Sequence, residues 1–202
     1  MTEVTLAILA GGEGARMGTP KGELRIGDEP ILAYLLRTMD WRGSTMLVTA
    51  PGREHPPGWE RFDREVVDPV GGQGPLRGVL TALENATTLI VAVTTVDMPN
   101  VRAADLQWLI ARLADAPDAM GLMLRRGAEI EPFPGAYWTA AAGAIRAQLD
   151  TNRLSVRALA DQTGFATLPA PRDWDEQEVW TNLNRPEDLA AFLKRRSYRA
   201  DQ

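Results

Sequence analysis

The sequence predicts an α/β fold of three layers, in which a mostly parallel, twisted sheet is covered by helices on both faces. Three observations predict it. Short apolar or β-branched runs end in Gly, Pro or Asp; apolar stripes at helical spacing lie between them; and strand and helix alternate at the spacing of right-handed βαβ units. In chain order, residues 4–10 form the first apolar run, and Leu32, Leu35, Leu36 and Met39 repeat at i, i+3, i+4, i+7, so that one helical face is apolar. Residues 46–50 and 65–67 read as the next strands, and the Pro-rich stretch between them, residues 51–57 (PGREHPP), reads as an exposed loop. Leu76, Val79, Leu80 and Leu83 make a second helical stripe. Residues 89–96 (LIVAVTTV) are nearly all apolar or β-branched, which suits a central strand covered on both faces. Leu106, Leu109, Ile110 and Leu113 mark a third helix.

Beyond Leu113 the rhythm loosens. Residues 120–124 read as a strand, residues 131–137 as a Pro-interrupted piece, and a helix runs through Trp138, Ala142, Ile145 and Leu149, as edge elements or a subdomain. A short helix around residues 155–162 ends at Gly164, placed as a glycine just past a helix end. The last helix is predicted to start at Asn184 as cap, with Glu187 completing a capping box and Pro186 in the first turn. Its apolar face is Leu189, Phe192 and Leu193, and Lys194, Arg195 and Arg196 form a solvated, dipole-compatible end.

Composition narrows the function classes. At 202 residues with 45% hydrophobic content, the chain is one ordinary domain, able to bury roughly 70% of its unfolded surface. Zero cysteines exclude thiol catalysis, Cys-type zinc sites and a disulfide scaffold. Twenty-two Lys plus Arg against 27 Asp plus Glu leave a net charge of −5, which argues against nucleic acid as a partner, so an anionic ligand must meet local cations. The start lacks a basic and apolar leader, and no apolar stretch is long enough to span a bilayer. The expectation is a cytoplasmic protein with no membrane contact.

The richest segment is Leu9-Ala10-Gly11-Gly12-Glu13-Gly14-Ala15-Arg16-Met17-Gly18-Thr19-Pro20-Lys21, directly after the first strand. In an open parallel sheet, ligands bind beyond the carboxyl ends of the strands, where glycine lets backbone N–H groups approach phosphate oxygens. No Gly-Lys-Ser/Thr follows, so this is not a Walker A loop, and Met17 stands where the dinucleotide fingerprint needs its third glycine. What remains is a backbone cradle with two cations, Arg16 and Lys21, enough to hold a triphosphate; the same residues also suit a plain glycine-rich turn with surface cations.

Asp97 follows the central strand and precedes Met98-Pro99, which places its carboxylate at the sheet's carboxyl edge. Mg²⁺ takes one or two carboxylates and completes its shell with water and phosphate oxygens, so a single Asp beside a phosphate loop suffices. Asp68 ends another strand, and Asn182 precedes the last helix; each is a candidate for the same edge or an ordinary cap or turn residue. The second glycine loop, residues 71–78, leads into a helix, where N–H groups can hold an anion or lie against a flat base. The only histidine, His55, lies in the Pro-rich loop and reads as an exposed bystander, so no base of near-neutral pKa is at hand. A phosphate monoester needs none. Its second pKa is about 6, so it is already an anionic nucleophile at neutral pH.

These residues resemble a known signature. Leu9-Ala10-Gly11-Gly12 with Arg16-Met17-Gly18 and Lys21 is similar to the LAGG-x-x-x-RMG-x-x-K motif of nucleotidyltransferases that activate phosphorylated substrates with NTPs. Gly74-Pro75-Leu76-x-Gly78, Val96-Asp97-Met98-Pro99, Leu154-Ser155-Val156-Arg157-Ala158-Leu159 and Asn182-Leu183-Asn184-x-Pro186-Glu187-Asp188-Leu189 then resemble, in order, the GPLAG, CDMP, RSVRAL and NINTPEDL stretches of the MobA-like molybdenum cofactor guanylyltransferase family. The resemblance covers nearly the whole chain. It implies a Rossmann-like sheet of the nucleotide-diphospho-sugar transferase type and Mg²⁺-dependent transfer of GMP from GTP to molybdopterin. By the same resemblance Leu9, Ala10, Gly11, Gly12, Asp68, Gly74, Pro75 and Leu76 bind the nucleotide. Arg16, Lys21 and Asp97 act in catalysis, Lys21 on the phosphates and Asp97 on the metal and nucleotide, and Asn182 meets the acceptor phosphate.

The resemblance also implies a nucleotide-binding half at residues 1–115, an acceptor half at residues 116–202, and passing contact with proteins that deliver molybdopterin or mature molybdoenzymes. Three departures stand out. The family's Asn after the second strand is missing from Val48-Thr49-Ala50-Pro51, Arg77 replaces a small residue in GPLAG, and Thr94-Thr95 replace the common Pro-Cys before the Asp. Transfer from CTP or to another phosphorylated acceptor, and a catalytically idle nucleotide sensor, are the alternatives.

Overall fold

The computed structural model describes residues 3–12 and 17–200. Six strands share one direction and one opposes it. β1 (Val4–Leu9), β4 (Ser44–Thr49), β5 (Arg64–Val67), β6 (Ile90–Thr95), β7 (Gly121–Arg126), β8 (Glu129–Trp138) and β9 (Phe165–Pro169) form a sheet of order β5-β4-β1-β6-β8-β7-β9. All neighbours are parallel except those of β8, which runs antiparallel to both β6 and β7. A two-stranded hairpin, β2 (Arg25–Ile26) with β3 (Glu29–Pro30), precedes the first helix.

The central strands are apolar on both sides because helices cover both faces: Leu6, Ala7 and Ile8 of β1 and Val91, Ala92 and Val93 of β6 are all fully buried. The helical stripes meet them. α1 (Ile31–Met39) buries Leu32, Leu35 and Met39; α2 (Gly74–Asn85) buries Leu76, Val79, Leu80 and Leu83; α3 (Ala103–Ala114) buries Leu106, Leu109 and Leu113. Each such side chain taken from water contributes roughly 1.5–3 kcal/mol. α3 starts where Asp105 reaches back to accept from the Arg102 N–H at 2.8 Å. Among the described residues no helix is long and apolar enough to cross a membrane.

The second half departs from the sequence reading in four places. The Pro-interrupted piece is a ten-residue strand, because its prolines lie at a break in the ladder: β7 pairs Leu124 with Glu131 and then Leu122 with Ala136, so residues 132–135 bulge opposite Met123. Trp138 ends that strand, and the following helix α4 (Ala142–Asp150) starts later. Gly164, with φ 87°, does not close a helix but turns the chain into β9, an unforeseen strand whose side chains are mostly half-buried and lack a full apolar run. The short α5 (Asp173–Glu176) was also unforeseen.

The final helix α6 (Pro186–Ala200) is capped one residue later than its sequence suggests. The Asp188 carboxylate accepts from the N–H groups of Asn184 (3.0 Å) and Arg185 (2.8 Å), while Glu187 stays exposed. Asp188 can reach back because it lies in the third helical position.

Close packing around β7 is a test of the register. A Cβ at Gly121 would lie 2.5 Å from Tyr137 Cδ1 and 2.9 Å from Phe165 Cδ1, both on buried rings in neighbouring strands. Gly121→Ala is therefore expected to cost about 1–3 kcal/mol through overpacking. Urea unfolding should show a lower midpoint with an unchanged slope.

Candidate active site

The carboxyl ends of β1, β4, β5 and β6 open onto one cleft of about 740 Å³. Leu9, Gly11 and Gly12 after β1, Ala50 and Pro51 after β4, Asp68 after β5 and Asp97 after β6 all line it. Adjacent backbones fix this rim. Ala10 N–H donates to the Val48 carbonyl at 2.8 Å, Asp68 N–H to the Thr49 carbonyl at 2.8 Å and Val96 N–H to the Leu9 carbonyl at 3.1 Å. Gly78 brings α2 against β1, since a Cβ there would stand 3.3 Å from both Leu9 methyl carbons.

Lys21 sits in a short 3-10 turn, Lys21–Glu23, after Pro20. Its ammonium forms an ion pair with Asp97 Oδ2 and donates to Asn184 Oδ1 at 2.6 Å. Asp97 is largely buried, and its other oxygen, Oδ1, has no hydrogen-bond partner. The Asp97 carbonyl also accepts from Leu183 N–H at 2.9 Å. Three segments far apart in sequence, ending in Lys21, Asp97 and Asn184, thus share one point. A single buried oxygen left without a proton donor suits a hard divalent cation, and among the described residues there is no cluster of three or more His, Cys, Asp or Glu to form an all-protein cage.

The Asp68 carboxyl faces the other end of the cleft. It is nearly buried, its Oδ1 lacks a hydrogen-bond partner, and burial pushes its pKa up against the opposing influence of the nearby Thr81 and Arg77. The folded protein therefore binds the Asp68 proton more tightly than the unfolded chain. Stability falls as pH rises from the ordinary 3.8 through the raised folded value. Asp68→Asn, which removes the buried charge, is expected to raise the melting temperature at neutral pH, with the gain vanishing below pH 3.8. Melting curves of both proteins across pH check this, and an unchanged melting temperature at neutral pH would refute it.

Gly71 to Gly74 form the second loop, with φ of 78° at Gly72 and 66° at Gly74, conformations that glycine adopts without Cβ strain. α2 begins there, so its free N–H groups face the cleft. Of the residues read from sequence, Leu9, Gly11, Gly12, Lys21, Asp68, Gly74, Pro75, Asp97 and Asn182 line the cleft. Ala10 does not line it, and the Leu76 side chain is wholly buried in the core under α2 because it belongs to the apolar stripe of that helix. Arg16 lies outside the described residues.

Arg77, where the family motif has a small residue, pairs at 3.5 Å with Glu84, which also binds Arg146 of α4. His55 is exposed and does not line the cleft. It pairs with the buried carboxylate of Glu65, stacks on Trp59 with centroids 4.2 Å apart, and Glu65 in turn accepts from the Thr49 hydroxyl at 2.8 Å. This chain holds the loop that carries Pro51 and Arg53 along the cleft.

Among the lining residues to which sequence reasoning gave no site role are Arg53, Glu131, Arg157 and Asn184. Asn184 carried a signal, since Asn182-Leu183-Asn184 puts two amides on alternate positions of an extended segment. Its reading as a helix cap hid that.

Known proteins resemble this chain over most of its length. Residues 6–165 match the model of the MobA-like NTP transferase domain. A probable molybdenum cofactor guanylyltransferase of Deinococcus radiodurans is 32% identical over 201 residues, covering 96% of both chains. The molybdenum cofactor guanylyltransferase of Cereibacter sphaeroides is 31% identical over 189 residues, covering 91% of this chain and 92% of that one. Among solved structures, molybdopterin-guanine dinucleotide biosynthesis protein A of Archaeoglobus fulgidus superposes with a TM-score of 0.81 at 21% identity, over 96% of this chain and 99% of that one. At that identity the superposition speaks to the fold alone. The domain match over most of the chain, joined to near-full-length relatives above 30% identity, places this protein in the MobA-like NTP transferase family of nucleotidyltransferase enzymes.

Proposed function

We propose that the protein transfers GMP from GTP to the terminal phosphate of molybdopterin, giving molybdopterin guanine dinucleotide and pyrophosphate. The acceptor phosphate oxygen forms a bond to the α-phosphorus of GTP while the bond from that phosphorus to the β-bridging oxygen breaks, and pyrophosphate carries away the electron pair. The observation that supports it is the meeting of Lys21 and Asp97 between two glycine-lined loops, in a chain whose relatives bear the guanylyltransferase name. Leu9 to Gly12 and Gly71 to Pro75 cradle the nucleotide by backbone N–H groups, with Ala10 and Leu76 serving through the main chain. Lys21, joined by Arg16, holds the phosphates, and Asp68 lies on the nucleoside side. Asn182 meets the acceptor phosphate.

Asp97 would hold Mg²⁺ through the oxygen that has no partner. When bound, that ion neutralises charge on the phosphate oxygens. The dianionic acceptor attacks directly, so no protein base and no covalent enzyme intermediate is required. What the chain supplies is alignment and electrostatic stabilisation. In this reading residues 1–115 bind the nucleotide and residues 116–202 the acceptor.

The test is pyrophosphate release by the full chain with Mg²⁺ and molybdopterin, comparing GTP with CTP. Turnover with GTP at least tenfold faster supports the proposal. Preference for CTP would overturn the base assignment, which Val48 to Pro51 leave without the family's Asn. GTP binding without pyrophosphate release on any phosphorylated acceptor would make the protein a sensor.

A further inference from the structure

The acceptor half of the cleft holds two opposite charges that no partner uses. Glu131, Pro132, Phe133 and Arg157 line it, on the far side of β6 from the loops after β4 and β5. Glu131 is half-buried in β8. The β6 pairing of β8 stops at Val93 and Gly135, and Glu131 lies past it, paired only with Leu124 of β7, so no strand pairs with it on the β6 side. Burial pushes the Glu131 pKa up, and Arg157 is the foremost charge acting against that. Among the described residues neither side chain makes a hydrogen bond or an ion pair. Two opposite charges without a hydrogen bond in one lined cleft, with Pro132 and Phe133 adding apolar surface to the lining, suit a flat heterocycle with N–H donors on one edge and a carbonyl next to them.

We infer that Glu131 and Arg157 read the 2-amino-4-oxopyrimidine edge of the acceptor pterin. Glu131 accepts from the ring N–H and the exocyclic amine, and Arg157 donates to the ring carbonyl. The inference rests on the proposed function, since it takes molybdopterin as the acceptor. Guanine carries the same edge, so the nucleotide is the rival source of this chemistry. Position favours the pterin. The nucleoside side of the cleft is the apolar and acidic wall of Val48, Ala50, Pro51, Val70 and Asp68, with β1 and β6 lying between it and β8. Glu131 is thus a residue for substrate specificity and touches no reacting atom.

The experiment measures pyrophosphate release and molybdopterin binding for the full chain and for Glu131→Gln and Glu131→Ala, with melting temperature as the control for folding. Removing hydrogen bonds between a charged site and a substrate N–H edge costs roughly 10–100-fold in affinity. Glu131→Ala should therefore raise KM for molybdopterin by about that factor and leave KM for GTP within about twofold. Glu131→Gln, which keeps one acceptor oxygen and nearly the same volume, should fall between the two and retain the fold.

If KM for GTP rises while KM for molybdopterin stays put, the slot reads guanine and the inference is overturned. Unchanged values for both substrates overturn it as well. Should the unmodified protein fail to turn over molybdopterin at all, the proposed function fails. The binding arm then decides separately: weaker molybdopterin binding by Glu131→Ala upholds the pterin slot, and equal binding removes it.

Discussion

Asp97→Asn is expected to lower kcat by about 10²–10³-fold while GTP still binds and the fold is kept. The change conserves volume. The amide oxygen can still accept from Lys21, so packing and most of the local hydrogen bonding survive. What disappears is the negative charge of Asp97, whose buried Oδ1 lacks a partner, and with it the proposed hold on a divalent cation. Rapid-mixing measurement of pyrophosphate release with molybdopterin, beside calorimetric GTP binding, separates the two effects. A variant within tenfold of the parent would mean that the carboxylate's charge does not serve the chemistry.

Lys21→Ala is expected to harm both stability and activity, because it strips the buried Asp97 carboxylate of its ion pair. Breaking a fully buried pair costs roughly 3–5 kcal/mol. Here the side chains are 19% and 10% exposed and border a wet cleft, so about 1–2 kcal/mol is the expected loss. Activity should fall more steeply, with KM for GTP raised and kcat lowered together by about 10²-fold overall, since the same ammonium is placed to hold the phosphates. The double variant Lys21→Ala with Asp97→Asn gives the decisive comparison. With no buried charge left unpaired, it should recover most of the lost stability and none of the lost turnover. Additive stability losses would show that the two groups are not coupled.

The first half was legible because its strands and helices bury one kind of surface each. The run 89–96 and the stripes of α1, α2 and α3 announce their partners by period alone. The second half was harder to read for a physical reason. β8 carries Pro132 and Pro134 through a bulge, and β9 is an edge strand whose burial gives no clear alternation.

The site divides in the same way. The two glycine loops that line the cleft stand out in the sequence, Lys21 belongs to the motif that follows β1, and Asp97 follows from the end of β6. Asn184 did not stand out, because a cap and a lysine's acceptor use the same amide, and only the tertiary fold says that Asp188 takes over the capping. Glu131 belongs to no motif, and Arg157 stood in the RSVRAL-like stretch with no role attached to it. Their proximity depends on β8 running backwards beside β6.

The joining of Leu183 to the Asp97 carbonyl and of Asn184 to Lys21 has a consequence for how the enzyme comes into being. Every strand of the sheet lies before residue 170, so the sheet can assemble before the segment that carries Leu183 and Asn184 is in place. The last helix then docks, Phe192 meeting the Tyr34 ring edge-on at 6.1 Å, and a chain lacking residues 182–200 is expected to form its sheet yet leave Lys21 and Asp97 without the segment that closes over them.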